Sequence, residues 1–353
     1  MKKLIMSLPL IGLALSPYLS AASSSPERIN PCCYQEKRCG FFVGINGLYL
    51  TSSENNGGLN YQSHQFINQN EFISRMKRFD FNYDWNYGLT IGYDIPCSRN
   101  RINLSYTHIK TNNQKTTPAS PGAVSIISYI FTNLEASNAI NFISNVRLAY
   151  ELDDADLTWS HECCNLMENF SLTPAAGLRY AKIKRDFTAH NTGFTSSDEE
   201  LSALDIRAHV RSDYDGIGPL VGLDSRYALC KGLGVVSHFA SGLLIGTINS
   251  HSALDLNIND SVNANSKFNL PSAQRIITGL EGKLGIDYCY CFCNKSSLTL
   301  EAGYYIIKYF DAVDIVRGEI HNPLVSGTTQ HITETVSDNL GFNGPYISLT
   351  FHV

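Results

Sequence analysis

The stretch Ile276-Ile277-Thr278-Gly279-Leu280-Glu281-Gly282-Lys283-Leu284-Gly285-Ile286-Asp287-Tyr288 alternates with a period of two. Its even positions carry Ile, Thr, Leu, Gly, Leu, Ile and Tyr, while the odd positions from 279 carry Gly, Glu, Lys, Gly and Asp. Successive side chains of a β-strand point to opposite faces, so one face here suits lipid and the other suits water. The next segment repeats the pattern, with Leu298, Leu300, Ala302, Tyr304 and Ile306 opposite Thr299, Glu301 and Gly303. Upstream, Trp85, Tyr87, Leu89, Ile91 and Tyr93 oppose Asn86, Gly88, Thr90, Gly92 and Asp94. Val221, Leu223, Tyr227 and Leu229 likewise oppose Gly222, Asp224, Arg226 and Ala228.

Working outward, the same rhythm places strands near 41–52, 83–95, 101–111, 143–159, 170–186, 213–229, 233–250, 274–288, 297–310 and 341–353. Ten is an even number, as is usual for bacterial outer-membrane barrels, and aromatic residues gather toward strand ends, as at Phe41, Tyr49, Trp85, Trp159, Tyr288 and Phe310. Connections alternate between short turns (around 96–100, Cys163-Cys164, Cys230–Gly232 and Cys289–Ser296) and long polar stretches near 53–82, 112–142, 187–212, 251–273 and 311–340. Short turns at one rim and long loops at the other are the topology of an outer-membrane barrel with turns and termini in the periplasm. A soluble β-sandwich also alternates, but its strands are usually shorter and carry fewer glycines and charges on the second face. The expectation is an all-β transmembrane antiparallel barrel of about ten strands, within a range of about 8–12.

Composition agrees. The 353 residues are 43% hydrophobic and 17% charged, enough apolar material for a packed structure, and a net charge of −5 leaves no basic footprint for nucleic acid. Met1 to Ala22 reads as a cleaved secretory signal, with Lys2 and Lys3, the apolar Leu4–Leu15 and the small-residue site Ser20-Ala21-Ala22. Residues 23–40 then form a cysteine-containing periplasmic segment and 41–353 the barrel. No apolar run after residue 22 is long enough for a spanning helix, which leaves a closed barrel as the way for an exported chain to cross a membrane.

All ten cysteines fall on one side of this map. Cys32, Cys33 and Cys39 precede the first strand, and Cys97, Cys163, Cys164, Cys230, Cys289, Cys291 and Cys293 occupy short turns. The oxidising periplasmic rim is therefore the expected place for thiol chemistry, and all ten are disulfide candidates. Neighbouring turns lie two strands apart, about 10 Å, beyond the ~7 Å Cα limit of a bridge, so intermolecular links to another barrel or to a periplasmic partner stand beside intramolecular ones. Zinc is disfavoured by the Cys-x-Cys-x-Cys spacing; no metal and no cofactor are expected.

Several short motifs resemble the cysteine-containing major outer membrane proteins of Legionella and its relatives. They are Gly40-Phe41-Phe42-Val43-Gly44, Trp85-Asn86-Tyr87-Gly88-Leu89, Gly218-Pro219-Leu220-Val221-Gly222-Leu223-Asp224, Leu284-Gly285-Ile286-Asp287-Tyr288, Leu300-Glu301-Ala302-Gly303-Tyr304 and Gly341-Phe342-Asn343-Gly344-Pro345-Tyr346. Gly-aromatic strands are common to many barrels; their order here is more specific. The resemblance implies a porin-like outer-membrane protein for small solutes, disulfide-linked into the envelope, with loops that meet host surface factors. Implied partners are outer-membrane lipid and lipopolysaccharide, further copies of the chain, and peptidoglycan or a periplasmic protein. The chain departs from many such barrels at its end, where Phe351 is followed by His352 and Val353.

The water-facing sides supply Arg147, Arg179, Asp224, Arg226, Glu281, Lys283, Asp287 and Glu301 as lumen-lining residues. They suit either a mixed-charge pore wall or a salt-bridged plug, since a barrel of about eight strands is just filled by its own side chains. A plugged structural barrel or adhesin is thus the alternative to a porin. Enzymatic activity is not expected; Asp205 and His209, which share a strand face, are the best acid and imidazole for an outer-membrane protease or lipase.

Overall fold

The computed structural model describes residues 40–54, 60–68, 71–78, 81–96, 98–117, 123–124, 139–167, 169–197, 200–230, 232–258, 262–292, 296–320 and 331–353. The signal sequence 1–22 and the cysteine-containing segment up to residue 39 lie outside them. Ten long strands form the body: β1 (Gly40–Glu54), β2 (Asp84–Asp94), β3 (Asn100–Thr117), β4 (Ala139–His161), β5 (Phe170–Ser197), β6 (Glu200–Cys230), β7 (Leu233–Ile258), β8 (Ala273–Cys291), β9 (Ser297–Ile320) and β10 (His331–His352). Each pairs antiparallel with its neighbour in the chain, and β10 returns to β1 with Phe42 opposite His352 and Glu54 opposite Leu340, closing the barrel. Closure pairs the strand edges through the membrane-crossing part of the barrel, the condition for crossing a bilayer. Short strands at Cys163–Met167 and Val262–Asn269 flank β5 and β7, and a hairpin of Asn60–Asn68 with Glu71–Arg78 pairs with Ala123–Val124.

The strands start at the short-turn rim as the alternation predicts, but they run further at the other end. Much of what composition marks as long polar loop is strand: β5 continues to Ser197, β6 begins at Glu200 and β10 begins at His331. β5 has 28 residues and β6 has 31, whereas about 10 suffice to cross an apolar band roughly 25 Å tall. The outer halves of these strands therefore stand clear of the membrane.

That change of surroundings inverts the barrel along its axis. On β6 the outward face reads Leu229, Tyr227, Leu223, Val221 and Ile217, all exposed, and then Asp215, Asp213, Arg211, His209, Arg207 and Asp205. The inward face reads Arg226, Asp224, Gly222 and Gly218, then Tyr214, Val210, Ala208 and Ile206, the last four buried. β4 does the same, turning out Trp159 and Leu157 and then Asp153, Glu151 and Arg147, while its inner face passes from Asp156 and Asp154 to Leu152, Tyr150, Leu148 and Val146. In the lower half the outside is lipid; in the upper half it is water, so the apolar side chains must turn inward there to leave it. The exchange occurs at the ring of Tyr49, Trp85, Tyr180 and Tyr304, the height at which amphipathic aromatic rings meet the interface. Above it the inward residues form one apolar cluster that includes Leu50, Ile183, Phe187, Tyr214, Leu244, Ile277 and Phe342. Burying each such side chain contributes about 1.5–3 kcal/mol.

Inversion corrects one expected lumen residue. Arg147 is exposed on the outside of β4, between the buried Val146 and Leu148, and its Nε donates to Asn112 Oδ1 at 3.0 Å. It lies above the membrane, where the polar face of a strand is the exterior wall and not the lumen.

Candidate functional site

The other seven expected lumen residues, Arg179, Asp224, Arg226, Glu281, Lys283, Asp287 and Glu301, do point inward. Among them Arg179 has partners on separate strands. Arg179 of β5, 1% exposed, binds both oxygens of Asp156 on the adjacent β4 at 2.7 and 2.6 Å and lies 3.3 Å from Asp154. Its Nη2 also donates to Glu281 of β8 at 2.5 Å, three strands around the wall. Gly242 on β7 makes room for this reach: a Cβ there would stand 3.6 Å from the Arg179 Cδ, so any longer side chain would occupy its path. From β9, on the far side of the ring from β4, the buried Tyr309 donates its hydroxyl to Asp154 Oδ2 at 2.5 Å. The lumen is thus spanned in two directions at one level.

Around this crossing the charges are paired locally. Lys283 lies 3.6 Å from Glu281 and 5.1 Å over the Tyr305 ring, and His238 sits 2.5 Å from Asp224 and 3.9 Å from Glu281. Nearer the short-turn rim Arg226 binds Asp287 at 2.7 Å, and Tyr346 donates to Glu301. A second crossing lies higher. Glu54 at the end of β1 receives Arg185 Nε from β5 at 3.0 Å and the hydroxyl of Tyr150 from β4, all three buried. Between and above the crossings lie the apolar side chains of the upper cluster, with Tyr214 laid against Gly216 and Gly246, where a Cβ would come within 2.3 and 2.7 Å of its hydroxyl.

A buried charge persists where a counter-charge meets it, as Asp156 and Glu281 meet Arg179; removing one member would strand the others. Chemically the arrangement is a set of struts, with long Arg and Tyr side chains taking up the extra width of a ten-stranded ring. Periodicity alone did not reveal Asp154, Asp156, Tyr309, Glu54, Arg185 or Tyr150. Arg185 offered a signal, a charge in phase with the apolar Ile183 and Phe187, but only the topology shows that Glu54 faces it.

The sequence of residues 32–353 matches the family model described as the Legionella pneumophila major outer membrane protein precursor. The chain belongs to that family. No curated protein matches the chain. Among solved structures it is similar to the outer membrane protease OmpT of Escherichia coli, at 11% identity over 89% of this chain and 97% of that one, with a TM-score of 0.42. It is also similar to the Pseudomonas putida toluene transporter TodX, at 6% identity over 89% and 90% with a TM-score of 0.25. A Pseudomonas aeruginosa FadL homologue matches at 9% identity over 89% and 90%, with a TM-score of 0.27.

As a major outer membrane protein the chain resides in the outer membrane, and its remaining candidate residues can be placed accordingly. Asp205 and His209 share the outward face of β6, but four residues of strand separate them by about 13 Å. Asp205 binds His190 at 2.9 Å and Arg207 at 3.0 Å, while His209 binds Asp186 at 3.1 Å, so the two do not form an acid and imidazole pair. Among the described residues no group of His, Cys, Asp and Glu is arranged to hold a metal. The described cysteines all lie at the short-turn rim. Cys163 and Cys164 open the short strand beside β5, Cys230 ends β6, and Cys289 and Cys291 end β8, where the Cys289 amide donates to Gly232 O at 2.9 Å. Cys32, Cys33, Cys39, Cys97 and Cys293 lie outside the described residues.

Proposed function

We propose that this major outer membrane protein is a sealed structural barrel that presents an elevated wall at the cell surface, and not an open channel for small solutes. The observation that carries the reading is the double strut at the membrane's outer edge: Arg179 joined to Glu281 three strands away, and Tyr309 joined to Asp154 on the opposite side of the ring. A solute would have to pass this level, and ions in water do not cheaply displace a buried guanidinium whose Nε and Nη2 are held by Asp156 and Glu281. The apolar cluster above, which includes Leu50, Tyr214 and Phe342, offers a polar solute little to bind. The reading is also non-catalytic, and it leaves cysteines of the periplasmic rim to tie the barrel into the envelope through disulfides to other copies or to a periplasmic partner.

Liposome swelling tests the barrel part of this reading. Vesicles holding the purified, folded protein should swell no faster in an isosmotic arabinose solution than empty vesicles; swelling proportional to the protein content would establish the porin reading instead. Gels run with and without reductant test the thiol part: high-mass species that vanish on reduction support crosslinking, and monomers in both lanes count against it.

A further inference from the structure

The upper wall carries an unusual concentration of imidazole on its outer side. Arg207, His209 and Arg211 alternate along the outward face of β6. His190 on β5 stands opposite Arg207, and His251 on β7 stands opposite Arg211. The rings of His209 and His251 meet edge to face at 5.6 Å. His190 and His209 have side chains 45% and 42% exposed. Ten residues of strand separate His190 from the girdle residue Tyr180, about 25 Å of height at the usual rise and tilt, so the patch clears the lipid headgroups.

We infer that this patch is a docking surface for a polyanionic chain, such as a sulfated polysaccharide, that engages when the surroundings become mildly acidic. The fixed charges facing the three imidazoles balance. Asp205 holds His190 and Arg207, Asp186 holds His209, and Asp213 holds Arg211. From β4, Glu151 holds Lys184 of β5 and Arg147 stands level with Thr188. On the β7 side Asp255 lies opposite Arg207, and Lys267 of the flanking 262–269 strand lies opposite Ala253. Arg147, Lys184, Arg207, Arg211 and Lys267 thus meet Glu151, Asp186, Asp205, Asp213 and Asp255, and near pH 7 the wall offers an anion nothing. Imidazole is the side chain that gains charge between pH 8 and 5, a range in which carboxylates stay ionised. Three added positive charges then raise the patch to eight cations against the same five carboxylates, and His209 sits between two guanidiniums, whose forks suit sulfate and phosphate oxygens. Burial and then the neighbouring His209 and Arg211 hold His251 below the ordinary imidazole range. The inference is independent of whether the lumen is sealed, since the patch lies on the outside.

Heparin is a suitable probe, with binding measured to the full-length protein in lipid nanodiscs at low salt. Affinity should rise about tenfold between pH 7.5 and pH 5.0, the sum expected of a few exposed charge contacts. The triple variant His190→Gln, His209→Gln and His251→Gln should lose that rise and keep wild-type heat-modifiable mobility on gels. Arg207→Gln with Arg211→Gln should weaken binding at both pH values and keep the rise. An equal rise in the triple variant, or none in the wild type, would overturn the inference.

Discussion

Replacing Arg179 by Ala should both destabilise the barrel and open it. The guanidinium is the hub of the lower crossing, with Asp154, Asp156 and Glu281 all within 3.3 Å. Without it three carboxylates remain in a region where Asp154 and Glu281 are 4% and 8% exposed. Breaking a buried ion pair by deleting one partner costs about 3–5 kcal/mol, because the charge left behind keeps its desolvation penalty. Part of that cost is recovered only if water enters, and water entry at this level is what a conducting path requires. The urea midpoint of the protein folded into lipid vesicles should therefore fall by an amount corresponding to about 3–5 kcal/mol, and the same preparation should show stepwise currents favouring cations. Arg179→Lys keeps a charge but not the planar fork that holds Asp156 and Glu281 together, so it should lie between the two. An Arg179→Ala protein as stable as wild type and equally silent would refute the argument that this side chain holds the lumen shut.

Four further outcomes follow from the same geometry. Phe187→Ala, in the apolar cluster above the membrane, should cost about 3–5 kcal/mol in urea unfolding without producing currents. Leu284→Arg, on the lipid-facing side of β8, should cost about 2–4 kcal/mol, whereas Asn249→Arg, equally outward on β7 but above the girdle, should change stability by no more than about 0.5 kcal/mol. In an Arg179→Ala background Arg147→Glu should leave the ion preference of the currents unchanged and Lys283→Glu should shift it further toward cations, since only Lys283 faces the lumen. A membrane-impermeant maleimide should label the free Cys163 only after the outer membrane is permeabilised; labelling on intact cells would place that rim outside.

Most of the barrel was legible because lipid and water impose opposite demands on alternate residues. Ile276 to Tyr288 shows it plainly: Ile276, Leu284, Ile286 and Tyr288 are exposed to the outside, and Ile277, Glu281 and Asp287 are buried within. Strand starts at the turn rim were legible too, since Gly232 and the neighbouring cysteines mark tight connections. The outer limits were not. A period-two pattern says which residues share a face but not which face is inside, and above the girdle the polar face becomes the exterior. Residues 187–212 read as loop because their outward members are Thr188, His190, Asp205 and Arg207, although Phe187, Ala189, Ile206 and Ala208 alternate with them and are buried. Arg147 was assigned to the lumen for the same reason. The struts were half legible: Arg179 and Glu281 stood out as charges in a barrel wall, but their meeting depends on ring closure and on the space that Gly242 leaves.

Planar-bilayer recording of the purified wild-type protein at neutral pH tests the central claim most directly. A lumen held shut by Arg179, Glu281, Tyr309 and Asp154 predicts a silent membrane at protein amounts that give frequent steps with the Arg179→Ala variant. Regular, uniform conductance steps from the wild type would contradict it.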